Sequence, residues 1–155
     1  MNIYLKDIDK ENWEECIFLT TDKDGKHFLC EEFVASNALS IAQSKIEDGW
    51  ITKAIYHEDT MIGFTMYGFS YEENFYEICR IMIDHKYQGK GYGKVALRKV
   101  IGEMRNFKNC DEIFLSFEPE NQIGKNLYKS FNFKDTGKVI DGELLYSLNL
   151  KIIRA

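Results

Sequence analysis

The chain has 155 residues, of which 45% are hydrophobic and 29% are charged, with one proline, and this composition excludes a disordered or fibrous chain. Its formal net charge of −5 makes nucleic acid an unfavourable partner, because an acidic surface repels a phosphate backbone. No apolar run reaches the roughly 20 residues of a membrane helix, and the N-terminus lacks the layout of a signal peptide. We therefore expect one cytoplasmic domain, residues 1–155, without membrane or nucleic-acid partners.

The cysteines and histidines indicate neither a metal site nor a disulfide framework. Cys16, Cys30, Cys79 and Cys110 form no CxxC pair, and no histidines stand near them at the spacing of metal ligands. We expect four reduced, buried thiols and no bound metal.

The first third of the chain predicts a short strand and two helices. Residues 3–5 are apolar enough for an opening strand, and Asn12 is a suitable N-cap for a helix with Trp13 and Cys16 on one face. Residues 34–46 have helical spacing of apolar side chains and are followed by Asp48-Gly49, which predicts the end of a second helix.

The rest of the chain predicts a sheet interrupted by two helices. Predicted strands cover residues 50–56, 61–71, 75–83, 112–117, 133–139 and 142–150, and predicted helices cover 91–105 and 123–131. The order β-α-α-β-β-β-α-β-α-β-β indicates a mixed α/β fold with a mostly antiparallel sheet. Only strands 75–83 and 112–117 are expected to be parallel, because a whole helix connects them.

A glycine-rich segment between a predicted strand and a predicted helix is the strongest functional signal. It reads Gln88-Gly89-Lys90-Gly91-Tyr92-Gly93-Lys94. Glycines permit close approach of the backbone, and the unpaired N–H groups at the start of the following helix attract a phosphate group.

Two other glycine-loop motifs fit this segment less well. A P-loop requires Ser or Thr after the lysine, whereas Val95 follows Lys94. Gly91, Gly93 and Ala96 fit the weak GxGxxA form of the dinucleotide fingerprint, but the acid at the matching distance, Asp111, precedes its strand instead of following it. A glycine turn without a ligand stays open as an alternative.

Two segments resemble the motifs of a known family. Arg80-Ile81-Met82-Ile83 followed by residues 88–93 resembles motif A of the GNAT superfamily, Q/R-x-x-G-x-G/A after an apolar strand. Asn121, Gly124, Leu127-Tyr128 and Phe131-Asn132-Phe133 resemble motif B. The resemblance spans about residues 50–150, and within the superfamily the chain is most similar to bacterial spermine/spermidine (diamine) N-acetyltransferases.

The resemblance implies an acetyl-CoA-dependent N-acetyltransferase whose two parallel strands splay apart. The backbone of Ile81, Met82 and Ile83 would pair with the pantetheine arm of acetyl-CoA, and the amides of residues 88–94 would hold its pyrophosphate. Asn121 would contact this co-substrate at the splayed end of strand 112–117. Tyr128 would protonate the departing thiolate.

The attacking amine must lose a proton, since an ammonium of pKa ~10.4 is charged at neutral pH. We choose Glu77 as the base, because strand alternation places Glu77, Cys79, Ile81 and Ile83 on one face. The carboxylate that is common in polyamine acetyltransferases would fall at Cys79, so a water chain to Glu72 or Glu73 is an alternative.

Acidic and aromatic residues gather where the acceptor would bind. The acids are Glu31, Glu32, Asp48, Glu72 and Glu73, and the aromatics are Trp50, Tyr67, Phe69, Tyr71 and Tyr76. Aromatic faces stack on ammonium groups by cation–π contact, so the acceptor is expected to be a small cationic amine, spermidine or spermine. The alternatives are an aminoglycoside, a protein N-terminus, or a non-catalytic coenzyme A-binding module, and the late strands are the candidate surface for a homodimer.

Overall fold

The computed structural model describes residues 1–21 and 36–153, which form a seven-stranded sheet with helices on both faces. In chain order the elements are β1 (Ile3–Asp7), α1 (Trp13–Phe18), α2 (Asn37–Ile46), β2 (Trp50–His57), β3 (Thr60–Ser70), β4 (Phe75–Ile83), a 3-10 helix (His85–Tyr87), α3 (Tyr92–Met104), β5 (Glu112–Phe117), α4 (Gln122–Ser130), β6 (Lys134–Ile140), β7 (Glu143–Asn149) and α5 (Leu150–Ile153). Among the described helices none has the length and apolar character needed to cross a membrane.

The sheet confirms the predicted mixed α/β class. Its strand order is β1-β2-β3-β4-β5-β7-β6, and every neighbouring pair is antiparallel except β4 with β5. Because β7 pairs with β5, with Leu144 opposite Phe117, the turn before β7 lies beside the carboxyl end of β5. The end of the chain differs from the prediction, since the last strand stops at Asn149 and a short helix, α5, follows.

Helix α2 begins later than its apolar pattern predicts. The Ser36 hydroxyl accepts a hydrogen bond from the Leu39 N–H at 3.0 Å, so a capped helix starts at Asn37. Such a bond satisfies one of the N–H groups that a helix start leaves without a partner. Residues 34 and 35 of the predicted helix lie outside the described residues.

Each face of the sheet has its own hydrophobic core. On one face Leu97, Val100 and Met104 of α3 are buried together with Tyr67 and Ile78. On the other face Cys16 of α1 and Ile41 of α2 pack with Ala54, Met66 and Met82. The helices therefore cover both faces of the sheet around β3 and β4, whereas the buried side chains of β5 lie in the α3-side core.

The two parallel strands separate soon after they meet. Only two pairs of residues are in register, Tyr76 with Ile113 and Glu77 with Phe114. Beyond them, residues 78–83 have no strand partner on the β5 side within the described residues. The predicted splayed pair is thus present, and it opens a cleft in the middle of the sheet.

A β-bulge at Cys79 corrects the expected alternation of side chains along β4. Ile78 pairs with Tyr67 and Arg80 pairs with Met66, which leaves Cys79 as an extra residue. A bulge shifts the following residues to the opposite face. Ile81 consequently packs on the α3 face, and Glu77 does not share a face with Ile81 and Ile83 as the sequence pattern predicted.

Candidate functional site

A cleft of about 720 Å³ opens where β4 and β5 separate. Its walls come from the end of α2, the β3–β4 turn, β4, β5, the start of α4, Tyr128 and the β6–β7 turn. Six of the residues predicted for the site lie in these walls: Glu72, Glu73, Glu77, Ile81, Asn121 and Tyr128. The fold thus brings together groups that are up to 56 positions apart in the sequence, Glu72 and Tyr128.

The cleft is strongly acidic. Eight carboxylates line it, from Glu47, Glu72, Glu73, Glu77, Glu118, Glu120, Asp141 and Glu143. Arg80 is the one basic residue among the described residues of these walls, and its Nε donates a hydrogen bond to the Asn37 Oδ1 at 3.0 Å. Walls of one sign concentrate ions of the other sign, so this cleft attracts cations.

Glu77 has the protonation behaviour of a base that works near neutral pH. Burial, followed by the negative charges of Glu73, Glu143 and Glu72, raises the pKa of its carboxyl from 4.5 to about 7. A catalytic base is most effective when its pKa lies close to the working pH.

Tyr128 packs in the core and also lines the cleft. Its ring centroid lies 5.2 Å from that of Phe117 and 6.1 Å from that of Phe133. Burial, followed by the charge of Glu143, raises the pKa of the phenol to about 12. The hydroxyl therefore keeps its proton at neutral pH and is able to donate it.

Glu143, which the sequence analysis missed, is held at the centre of the cleft. The Ser116 hydroxyl on β5 donates a hydrogen bond to the Glu143 Oε1 at 2.9 Å. The sequence contains no local signal for this contact, because it depends on β7 lying next to β5. The dipeptide Asp141-Gly142 just before it predicts a turn and nothing about this contact.

Cys79 is exposed to the cleft, which corrects the expectation that all cysteines are buried; Cys16 and Cys110 are buried, and Cys30 lies outside the described residues. The walls of the cleft shield the Cys79 thiol from bulk water. This desolvation, followed by the negative charge of Glu77, raises the pKa of the thiol to about 12. A neutral thiol is a poor base and a poor nucleophile. Cys79 therefore does not replace the missing carboxylate.

The glycine-rich segment leads into α3 with a backbone that only glycine adopts readily. Gly89 and Gly91 have φ angles of 77° and 84°, which lie in the left-handed region. Gly91 caps α3 without a side chain, and no N–H from residues 88–94 donates a hydrogen bond within the described residues. These N–H groups lie at the positive end of a 13-residue helix, an arrangement that favours an anion.

Asp84, 2% exposed, fixes the start of this segment. Its two carboxylate oxygens accept hydrogen bonds from the Thr20 N–H and the Lys86 N–H, both at 3.0 Å. The His85 N–H in turn donates to the Thr20 carbonyl at 2.9 Å, and the Gln88 side chain donates to the Ile83 carbonyl at 2.9 Å. These hydrogen bonds fix the backbone between the end of β4 and the glycine-rich segment.

Asn121 stands at the mouth of the cleft and caps α4. Its Oδ1 accepts a hydrogen bond from the Gly124 N–H at 2.9 Å. A Cβ at position 124 would lie 2.7 Å from the Asn121 Nδ2, so the two residues fit closely. The motif residues Asn121 and Gly124 thus have a local structural role.

Several predicted acceptor residues lie elsewhere. Asp48 is exposed and is not among the residues that line the cleft, whereas its neighbour Glu47 is, with its Oε2 accepting from the Trp50 Nε1 at 2.9 Å. Of the five predicted aromatics, Trp50 alone lines the cleft, and Tyr67 is fully buried with its hydroxyl bonded to Glu103. Glu31 and Glu32 lie outside the described residues. Within residues 1–21 and 36–153, no cluster of His, Cys, Asp or Glu has the arrangement of a metal site.

Comparison with known proteins places this architecture in a family. Residues 5–133 match the sequence profile of the Acetyltransferase (GNAT) family. The spermine/spermidine N(1)-acetyltransferase of Bacillus subtilis (strain 168) is 30% identical over 130 residues, which cover 75% of this chain and 86% of the relative.

Solved structures show the same fold at lower identity. A chimera of the spermidine N-acetyltransferase SpeG from Vibrio cholerae and hSSAT superposes with a TM-score of 0.75 at 15% identity, covering 100% of both chains. The PaiA N-acetyltransferase of Thermoplasma acidophilum, solved in complex with coenzyme A, superposes with a TM-score of 0.72 at 18% identity, covering 96% of this chain and 99% of that one.

Proposed function

This chain belongs to the Acetyltransferase (GNAT) family, whose members use acetyl-CoA, and from that premise we propose that it acetylates a primary amine of a polyamine, spermidine or spermine. The observation that carries the proposal is the cleft with eight carboxylates between the separated strands. Its charge complements a chain of ammonium groups, and a relative that is 30% identical is a spermine/spermidine acetyltransferase.

Two backbone segments would bind acetyl-CoA, the start of α3 and the open edge of β4. The N–H groups of residues 88–94 face outward at the start of α3 and would hold the pyrophosphate. Beyond Glu77 the β5-facing edge of β4 has no strand partner among the described residues, so the backbone at Ile81, Met82 and Ile83 would pair there with the pantetheine arm, apart from the Ile83 carbonyl, which accepts from the Gln88 side chain. In this arrangement the thioester would lie in the acidic cleft.

The reaction is a direct transfer in a ternary complex. Glu77, directly or through water, takes a proton from the substrate ammonium, and the neutral amine attacks the thioester carbon. A new C–N bond forms, the C–S bond breaks, and Tyr128 donates its phenolic proton to the departing thiolate. A backbone N–H near Ile81 is the candidate hydrogen-bond donor to the carbonyl oxygen.

The acidic walls also support a polyamine as the acceptor. The reacting amine must approach Glu77, and the remaining ammonium groups of a polyamine would lie against the carboxylates that surround it. Glu72 and Glu73 come from the β3–β4 turn, and Asp141 and Glu143 come from the β6–β7 turn on the other side of the cleft. A long cation could therefore contact both walls together.

A thiol-release assay with acetyl-CoA over a panel of amines tests the proposal. We expect spermidine and spermine to release thiol faster than a monoamine or an aminoglycoside. The Tyr128→Phe variant, which keeps the ring packing, should lower kcat about 10²-fold or more while the KM for the amine changes little. Equal thiol release with and without polyamine would reject the acceptor. Coenzyme A binding without transfer to any amine would favour a non-catalytic module instead.

A further inference from the structure

The carboxylate of Asp84 connects the glycine-rich segment with the end of α1. Its Oδ1 accepts a hydrogen bond from the Lys86 N–H and its Oδ2 accepts one from the Thr20 N–H, both at 3.0 Å. Thr20 lies two residues beyond α1, and Lys86 lies two residues before the glycine-rich segment. The Asp84 N–H donates to the Ile62 carbonyl of β3 at 2.8 Å, so the sheet fixes the position of this residue.

The connection explains why a carboxylate is buried at this position. Asp84 is 2% exposed, and no lysine or arginine in the described part of the chain forms a salt bridge with it. The His85 Nε2 lies 4.0 Å from its Oδ1. Burying a carboxylate lowers stability unless hydrogen-bond donors satisfy its oxygens. Here one oxygen serves each of two chain segments, which an apolar side chain is unable to join.

Helix α1 depends on the bonds at its ends. It has six residues, of which Cys16 is buried. A helix this short is not stable by itself in water, and elements with few buried contacts unfold locally at a small cost in free energy. Beyond its C-terminal end the chain is held twice, because the Thr20 N–H donates to Asp84 and the Thr20 carbonyl accepts from the His85 N–H at 2.9 Å. The stability of α1 should therefore follow that of the segment around Asp84.

Helix α1 in turn holds α2, which reaches the acceptor cleft. The Asn37 Nδ2 donates to the Cys16 carbonyl of α1 at 2.9 Å, and Asn37 is the first residue of α2 and is 2% exposed. At the other end of α2, Gln43 and Glu47 line the cleft, whereas no residue of α1 does. A continuous series of hydrogen bonds and helices thus runs from the glycine-rich segment to one wall of the cleft.

We propose that Asp84 is a positioning residue that couples the co-substrate site to the acceptor cleft through α1 and α2. The inference rests on the proposed binding of acetyl-CoA at residues 88–94, and it holds for any acceptor amine. A ligand on these N–H groups restrains the segment that contains Asp84. Because the same carboxylate holds Thr20, the ligand also suppresses local unfolding of α1 and α2, and the amine then meets an ordered wall. Coupling of this kind needs no change of structure.

Amide hydrogen exchange with and without coenzyme A tests the coupling in the absence of any amine. Helix α1 is the reporter, because none of its residues lines the cleft. Coenzyme A should slow exchange of the α1 amides at least about fivefold in the wild type. In Asp84→Asn, at saturating coenzyme A, this protection should fall to about twofold or less while the start of α3 stays protected. Asparagine keeps the shape, but its amide nitrogen is unable to accept a bond from the second N–H group.

Thr20→Pro removes the same connection from the other side. Proline has no N–H, so the bond to Asp84 is lost while the bond from Lys86 to Asp84 is kept. Leu19, with φ −64° and ψ 138°, already has the conformation that a residue before proline prefers. This variant should lose the α1 protection as Asp84→Asn does. Thr20→Val, which lacks the hydroxyl but keeps the N–H, should retain it.

Asp9→Asn is the matched control for a loss of stability alone. The Asp9 Oδ1 accepts from the Glu11 N–H at 2.9 Å and from the Asn12 N–H at 3.1 Å, next to the start of α1. This variant weakens similar bonds, so α1 should exchange faster both with and without coenzyme A, and the ratio of the two rates should stay at the wild-type value. A purely structural Asp84 would behave in the same way.

The proposal is overturned if coenzyme A leaves α1 exchange unchanged in the wild type, or if either folded variant, Asp84→Asn or Thr20→Pro, keeps the wild-type ratio. Acetylation of spermidine together with such a result would leave the proposed function standing. Loss of the ratio in both variants, with no thiol release from any amine, would reject polyamine acetylation and support the coupling.

Discussion

At the scale of single residues, Glu77 shows how one side chain acquires its chemistry from its surroundings. In solution a glutamate is ionised at neutral pH, and it is too weak a base to remove a proton efficiently from an ammonium. Burial beside Glu73, Glu143 and Glu72 raises its pKa to about 7. The burial that would suit Glu77 to its proposed role as the base therefore lowers the stability of the folded protein whenever the side chain is charged.

The loss of stability that is caused by charging Glu77 depends on pH. Because the native pKa of about 7 lies above the unfolded value of 4.5, the native state binds more protons between these values, and stability falls as pH rises through that interval. Glu77→Gln removes the effect, so its melting temperature should exceed that of the wild type at about pH 8 by more than at about pH 4. Thermal melts at both pH values measure this.

The same variant should lose activity. We expect kcat/KM with spermidine to fall about 10²-fold, and the inflection near pH 7 in the wild-type profile to disappear. Glu72→Gln, in the same cleft wall, is the control and should keep the inflection. A Glu77→Gln profile with an unchanged inflection would show that another group is the base.

At the scale of secondary-structure elements, the start of α4 combines a structural bond with a proposed ligand contact. The Asn121 Oδ1 caps the helix through the Gly124 N–H, which leaves the Nδ2 for acetyl-CoA. The bulge in β4 also has two effects. The extra residue Cys79 moves the following side chains to the opposite face of the sheet, and it lies just beyond the last residue of β4 that pairs with β5.

Two substitutions at position 121 separate these roles. Asn121→Ala should lower the free energy of unfolding by about 1 kcal/mol, because the cap is lost. Asn121→Ser keeps a capping oxygen but has no amide, so it should be close to the wild type in urea denaturation and still raise the KM for acetyl-CoA. Wild-type KM in Asn121→Ser would assign this residue to the helix cap alone.

At the scale of the whole molecule, charge is divided between two sites. Among the described residues, eight carboxylates and one arginine line the cleft, whereas a groove between α3 and the end of α4 is lined by Lys94, Arg98 and Arg105 and by no acid. The formal net charge of −5 conceals this division. The cleft therefore favours cations and the groove favours anions.

Salt should weaken the acceptor site in proportion to the charge of the amine. The KM for spermine should rise severalfold between about 0.05 M and about 0.5 M salt, because the screening length shortens from over 10 Å to about 4–5 Å. A monoamine should show a much smaller rise, and this comparison under otherwise equal conditions is the measurement. Equal salt dependence for both amines would mean that the carboxylates of the cleft do not bind the distant ammonium groups.

The sequence by itself determined the order of elements, the fold class and the glycine-rich loop, because each depends on residues close together in the chain. Apolar spacing predicted α3 and the strands, and the glycines at 89 and 91 indicated the left-handed backbone that the structure contains. Tyr128 and Asn121 were predicted for the site from contiguous motifs, and both line the cleft. Glu77 also lines it, although the strand alternation from which it was chosen is broken by the bulge at Cys79.

Only the tertiary structure decided which acids share the cleft. Glu143 reaches Ser116 because β7 lies beside β5, and Glu47 rather than Asp48 lines the wall because of where α2 ends. The bulge at Cys79 and the basic groove also depend on pairing and packing between distant segments. Periodicity along the chain records which face of an element is apolar, but it carries no information about which polar side chains meet when those faces pack together.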